Sequence, residues 1–294
     1  MSRLVLGKNM TRRSLFFCPI VLIATLSSTA AHAIIVVCDE LSITRDGTAF
    51  FNDPFNDGMP PPSAPNFASG ASASYSVTGT IPSDAESGGS LLLDTANGAI
   101  TTNADGTQRQ SLILTLLTSA TGGATQIGTG NTFVETGVFN LTTPPGPQYS
   151  TYGIRLSDSL AGVTHQVLQL GVEFDPTTGK DDISYLFQNF DAHTITLLGS
   201  TSFAPPAGAN GIRMNLARSD TTNDDVVASF SFLSGGSVVG NPFTFSTPGL
   251  AFQVDDFVRG QILVSEAVPE PGSLGLLVCG LTCLAVLSHQ RHRR

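Results

Sequence analysis

The chain has 294 residues, a formal charge of −9, 41% hydrophobic residues, four cysteines and no tryptophan. Between Ile34 and Ala267, 22 acidic residues stand against seven basic ones, an excess that excludes nucleic acid as a partner, because such binding draws on neutralised phosphates. Cys18, Cys279 and Cys283 all lie outside that stretch, so no disulfide can form within it and its fold has to rest on an apolar core.

Residues 1–33 combine a basic start (Arg3, Lys8, Arg12, Arg13), an apolar run from Leu15 to Leu26 and an A-x-A end at Ala31-His32-Ala33. This is the pattern of a secretory signal peptide cleaved after Ala33. Arg12-Arg13-Ser14 fits a twin-arginine signal only loosely, which favours general export. Cys38 follows Val37, where a lipoprotein needs a small residue. It is expected as a free thiol on a frayed terminal segment.

From Ile34 to Ala267 the pattern is β throughout. Short apolar runs alternate with Gly, Asn, Asp and Pro turns, and no window carries a capped helical period. Expected strands are Tyr75–Thr80, Ser90–Leu93, Ser111–Leu117 (read as apolar on both faces), Thr132–Phe139, Thr151–Leu156, Gln166–Val172, Ile183–Phe187 and Thr194–Leu198. They continue with Ile212–Ala217, Val226–Phe232, Phe243–Phe245, Leu250–Val254 and Val258–Val264. The clearest alternation puts Ile212, Met214 and Leu216 on one face, and Ala228, Phe230 and Phe232 on another. Asn97-Gly98, Asp105-Gly106 and Asp175–Gly179 read as turns. No fixed repeat supports a propeller or solenoid. About a dozen short strands in one domain predict an all-β sandwich.

Few residues carry chemistry. Glu173-Phe174-Asp175 places two carboxylates on one strand face, but Pro176 follows and the other glutamates (Glu40, Glu86, Glu135, Glu266) are isolated in sequence. Retaining glycosidases need a pair about 5 Å apart, so a catalytic assignment does not follow, and no catalytic residue is assigned. His165 and His193 have no serine or acid motif beside them. Calcium, which prefers several oxygen ligands, has weak candidates in Asp53 and Asp57, with Asn52 and Asn56, and in Asp220, Asp224 and Asp225. Neither group has helix–loop–helix spacing, so no cofactor is required. Tyr149 and Tyr152, beside the Pro144–Pro147 loop, are the candidates for an aromatic sugar platform, with packing as the ordinary alternative.

The last 27 residues run Val268-Pro269-Glu270-Pro271-Gly272, then an uncharged apolar segment from Ser273 to Leu287, then His289-Gln290-Arg291-His292-Arg293-Arg294. The prolines hold their segment extended, and the arginines favour a cytoplasmic end for a short transmembrane helix. This ordering resembles the PEP-CTERM sorting signal of exported Gram-negative proteins, with Val268, Pro269, Glu270 and Pro271 as the sorting motif. The resemblance implies processing by an exosortase, delivery by the export machinery, and a place at the cell surface or in the polysaccharide or biofilm matrix. The apolar segment is shorter than the roughly 20 residues of a permanent span, which suits a transient hold in the inner membrane.

Asn52-Asp53-Pro54-Phe55-Asn56-Asp57-Gly58 near the start and Val254-Asp255-Asp256-Phe257 near the end resemble the concanavalin A-like lectin/glucanase jelly rolls. That resemblance implies a jelly-roll-like sandwich with its terminal strands side by side and the tail leaving from a sheet edge. A lectin-like carbohydrate-binding module and a degenerate glycoside hydrolase are the functions it adds to the surface-protein reading.

Overall fold

The computed structural model describes residues 33–62, 73–118, 127–128, 130–141, 148–160, 163–222, 225–246 and 258–268. The signal segment through residue 32, the tail from Pro269, Asp224, the expected Leu250–Val254 strand and the Val254–Phe257 motif lie outside these residues. Among the described residues no helix is long and apolar enough to cross a membrane.

Among the described residues sixteen strands follow one another. They are β1 (Ile35–Arg45), β2 (Thr48–Asp53), β3 (Ala73–Thr78), β4 (Glu86–Ser87), β5 (Ser90–Asp94), β6 (Ala99–Thr102), β7 (Gln108–Thr118) and β8 (Phe133–Asn140). The second half holds β9 (Ser150–Leu160), β10 (Val163–Asp175), β11 (Lys180–Asn189), β12 (Thr194–Ser202), β13 (Gly211–Arg218), β14 (Val227–Ser234), β15 (Ser237–Thr244) and β16 (Val258–Ala267). They form two eight-stranded sheets, paired antiparallel. The first runs β15-β14-β13-β8-β1-β5-β4 with β2 on β1, and the second runs β12-β11-β10-β9-β16-β7-β3 with β6 on β7.

The two sheets pack as a β-sandwich because each strand's period of two sends alternate apolar side chains inward. Ile212, Met214 and Leu216 of β13 are fully buried, as the alternation predicts, and so are Tyr152, Ile154 and Leu156 of β9. Each such side chain contributes roughly 1.5–3 kcal/mol on burial. Phe139 of the first sheet meets Tyr152 of the second edge-on at 5.6 Å, and the Tyr185 hydroxyl donates to the Val226 carbonyl oxygen at 2.8 Å. Gly137 is required here, since a Cβ would collide with Ile154.

Three expectations are corrected. Cys38 is not frayed: it is fully buried in β1, an interior strand between β8 and β5. The strand escapes a period-two reading because a bulge lies between Cys38 and Glu40, so the inward set slips from Val36 and Cys38 to Leu41 and Ile43. The terminal strands β1 and β16 do not lie side by side, because they are interior strands of opposite sheets, and the chain leaves β16 from the middle of a sheet. Finally, β7 is not apolar on both faces: Leu112, Leu114 and Leu116 enter the core while Ser111 and Thr115 face outward.

One carboxyl group joins the sheets through the core. Glu135 of β8 is fully buried, and its Oε1 accepts from the Gln261 backbone N–H of β16 at 2.9 Å. Burial pushes its pKa well above the usual carboxyl range, with only the Gln261 N–H opposing. The native state therefore keeps a proton that the unfolded chain releases near pH 4.5, so stability falls as pH rises from there toward the native pKa, by about 1.4 kcal/mol per pH unit. Glu135→Gln is expected to melt like the wild type below pH 4.5 and a few degrees above it at pH 8. Thermal unfolding across that range checks this, and equal melting temperatures at pH 8 would contradict it.

Candidate functional site: a roofed polar groove on the second sheet

Outward faces of antiparallel sandwiches are usually polar and solvated. The second sheet departs from this, because its outward polar residues are buried. Ser111, Thr151, Arg155, Gln169, Ser184, Gln188, Gln261 and Ser265 are all less than a tenth exposed. Register explains how they converge. Thr115, Gln261, Arg155, Gln169 and Leu186 stand opposite one another across β7, β16, β9, β10 and β11. Four residues back along β9, Ser111, Ser265, Thr151, Glu173 and Asp182 form a parallel row.

Between those rows the two central strands present glycine. Gly153 of β9 pairs directly with Gly171 of β10. A Cβ on Gly153 would run into the Leu170 carbonyl oxygen and lie 2.7 Å from the Gly171 Cα, and one on Gly171 would lie 2.9 Å from the Tyr152 oxygen. The missing side chains leave a trough with Arg155 on one side and Thr151 and Glu173 on the other.

The β6–β7 hairpin closes over this trough. Its turn, Asn103–Thr107, is self-contained: Asp105 Oδ1 accepts from the Thr107 N–H and hydroxyl at 3.0 and 2.7 Å. Gly106 supplies the positive φ of 84° at the tip. The Ala104 N–H reaches across to Gln188 Oε1 of β11 at 3.3 Å, and Ala104 is buried. At the other end Arg109 stacks its guanidinium on the Tyr149 ring at 4.4 Å. The hairpin divides the face into two grooves that share Asn103 and Arg155, one of about 330 Å³ and one of about 290 Å³.

The larger groove holds Arg109, Tyr149, Glu173, Asp182 and Ser184. Glu173 Oε2 accepts from the Ser184 hydroxyl at 2.8 Å, and its Oε1 carries no hydrogen bond. Burial raises the Glu173 pKa, against which the Ser184 and Tyr149 hydroxyls pull it down, and Asp182 raises it further. Thr151 Oγ1 and Arg155 Nε, on the two sides of the trough, are likewise buried without partners. Among the described residues neither groove is lined by histidine or cysteine. The lining is hydroxyl, amide, carboxylate and guanidinium, a set suited to polyhydroxylated ligands.

The residues singled out from sequence fare differently. Glu173 lies in the groove, and its carboxylate neighbour is the cross-strand Asp182 rather than Asp175 alone; Asp175 holds its own turn through Thr177 and Thr178. Tyr149 is half-buried at the groove margin beneath Arg109. Tyr152 is corrected: it is fully buried between Phe139 and Phe174 and cannot offer a sugar platform. Its parity with Ile154 and Leu156 was the signal that could have placed it.

Asp53 is buried, accepting from the Phe55 N–H and the Tyr75 hydroxyl, both at 2.9 Å. Asp57 Oδ1 accepts from the Met59 N–H, while the Asp57 N–H donates to Glu86 Oε1 at 2.9 Å. Asp220 caps its own turn through Thr222, and Asp225 is exposed. Among the described residues no group of three or more His, Cys, Asp or Glu side chains is arranged to hold a metal ion. His193 sits exposed in a turn with a φ of 53°. Arg155, Gln169, Asp182, Gln188 and Gln261 were missed, since only strand register brings them together.

Gly153→Ala is expected to destabilise the protein by about 2 kcal/mol or more, because the clash is with backbone. Gly130→Ala, where a Cβ meets nothing within 4 Å, should stay within about 0.5 kcal/mol. Denaturant midpoints of the two variants check the pair, and equal midpoints would refute the role given to Gly153. Comparison with protein-family models, curated proteins and solved structures finds no match to this chain.

Proposed function

We propose that this chain is the precursor of an exported surface or matrix protein that binds extracellular polysaccharide through the roofed face of its second sheet. The observation carrying the binding half is the set of buried polar atoms without partners, on Thr151, Arg155 and Glu173, that border a single trough. Native proteins satisfy nearly all such atoms, and those left over need an explanation. A ligand rich in hydroxyl groups would satisfy donors and acceptors alike.

The sorting half rests on residues at the two ends of the chain. A signal peptide cleaved after Ala33 would deliver the sandwich, and an exosortase would act at Val268-Pro269-Glu270-Pro271 while the Ser273–Leu287 segment holds the precursor in the inner membrane. Repeated passage of the chain between sheets, at β8–β9, β12–β13 and β15–β16, supports reading the sandwich as jelly-roll-like. In cells with an exosortase, Pro269→Ala combined with Glu270→Ala is expected to leave folding intact and keep the precursor in the inner membrane. Normal maturation of that double variant, read by fractionation and mass of the mature C-terminus, would overturn the sorting assignment.

A second reading, a divergent glycoside hydrolase, is favoured by one observation: Glu173 with its raised pKa stands directly opposite Asp182 in the groove. Opposed Cβ atoms on neighbouring strands are about 4.5–5.5 Å apart, close to the spacing of a retaining pair. A glycan array should give hits that weaken about tenfold or more in a Gln169→Ala, Gln188→Ala double variant. A blank array would remove the glycan reading. Release of reducing ends from a bound glycan, lost in Glu173→Gln, would establish the hydrolase in its place.

A further inference from the structure

The smaller groove has a charge opposite to that of the domain around it. Among the described residues its lining includes Arg155 and Arg259 with Thr101, Asn103, Gln261 and Phe190, and no carboxylate. This is one end of a face in a segment where 22 acidic residues outnumber seven basic ones, so the pairing of two of those seven here is a local reversal. Arg259 and Arg155 are diagonal neighbours, Arg259 standing opposite Ser157 and Arg155 opposite Gln261.

Arg155 is the unusual member. Its side chain is 7% exposed, and its Nε has no hydrogen-bond partner. The residues opposite it on β16 and β10 are Gln261 and Gln169, both uncharged. Gln261 turns its amide N–H to Thr115 Oγ1 at 3.0 Å. Burial alone pulls the Arg155 pKa down, to about 10, with no neighbouring carboxylate to hold it up, yet the group is still charged at neutral pH. A buried charge without a counter-charge destabilises a fold strongly, and replacing it by an apolar residue would relieve that. The arrangement makes sense where an anion from outside completes the pair.

We propose that the smaller groove binds the anionic substituent of an acidic sugar, a carboxylate or sulfate, clamped by Arg155 while the ring rests against Phe190 and the threonine hydroxyls. This rests on the glycan reading above and adds the charge of the ligand and the residue that selects it. The planar guanidinium fork matches a carboxylate or sulfate in a bidentate contact. The 290 Å³ volume lies at the small end of ligand pockets, which suits a single ring. The acidic surface repels dense polyanions at range, but that repulsion is screened beyond about 8 Å at physiological salt. The favoured ligand is therefore a largely neutral polysaccharide with scattered acidic sugars.

The test uses the full chain in mild detergent and titrates uronic-acid disaccharides, their carboxyl-reduced neutral counterparts, and sodium acetate and sulfate at equal charge. The acidic disaccharides are expected to bind about ten- to a hundredfold more tightly than the neutral ones and to raise the melting temperature. Acetate and sulfate should give smaller shifts than the acidic disaccharides. Arg155→Met should abolish the preference and, without ligand, melt above the wild type, since it removes an unpaired buried charge. Arg155→Lys should keep part of the preference, which separates loss of charge from loss of fold. A preference that survives in Arg155→Met overturns the assignment, as does a shift from free acetate or sulfate equal to that from the sugars. Equal binding of acidic and neutral disaccharides sinks the anion site and leaves the glycan reading standing. No disaccharide binding together with a blank glycan array removes both.

Discussion

At the centre of the second sheet two backbones come together with no side chain between them. Gly153 and Gly171 pair across β9 and β10, and either Cβ would strike the opposing chain. The pairing does two things at once. It brings the strands into close register where both carry core residues on their other faces, and it removes the outward side chains that would fill the middle of the sheet. The trough, the placement of Arg155 and Thr151 on either side of it, and the space beneath the β6–β7 hairpin all follow from that absence. Glycine inside a strand ordinarily weakens it. Here the weakening is offset by core on one side and by a hairpin fastened at Ala104 and Arg109 on the other.

The sandwich was legible where alternation was clean. In β13 and β14 the inward residues repeat every second position without interruption, and the core contains them as read. In β1 the bulge between Cys38 and Glu40 breaks the beat, which turned an interior strand into an expected loose end. In β7 the run from Ser111 to Leu117 reads as two-sided because Ile113 stands among leucines, yet Leu112, Leu114 and Leu116 enter the core while Ser111 and Thr115 face outward. These errors share a cause: sequence periodicity shows which residues alternate, while pairing decides what lies on each side.

The groove was less legible than the fold. Its lining draws on strands from β3 to β16, and residues as distant as Thr115 and Gln261 are neighbours only through the ladder. Arg155 could be read as a charged residue between Ile154 and Leu156, hence outward. Nothing in the chain shows that the outward side would be roofed, because the roof comes from a hairpin whose Asp105-Gly106 tip reads as an ordinary exposed turn. The acidic groups near Asp53 and Asp220 stand out by composition, yet Asp53 and Asp220 themselves are occupied with backbone and hydroxyl donors. Composition located charge, and register located chemistry.

The exit of the chain from β16 has a mechanical consequence. This strand is bonded to β7 over Gln261–Ala267 and to β9 over Val258–Glu266, and Ala267 is held a last time by the Tyr149 carbonyl oxygen. A pull on the C-terminal end therefore loads two antiparallel ladders in shear, so that many hydrogen bonds must yield together. An edge strand pulled outward would instead unzip one bond at a time. Tension applied at that end would enter the sandwich through two interior ladders and pass through the middle of the sheet that carries the groove.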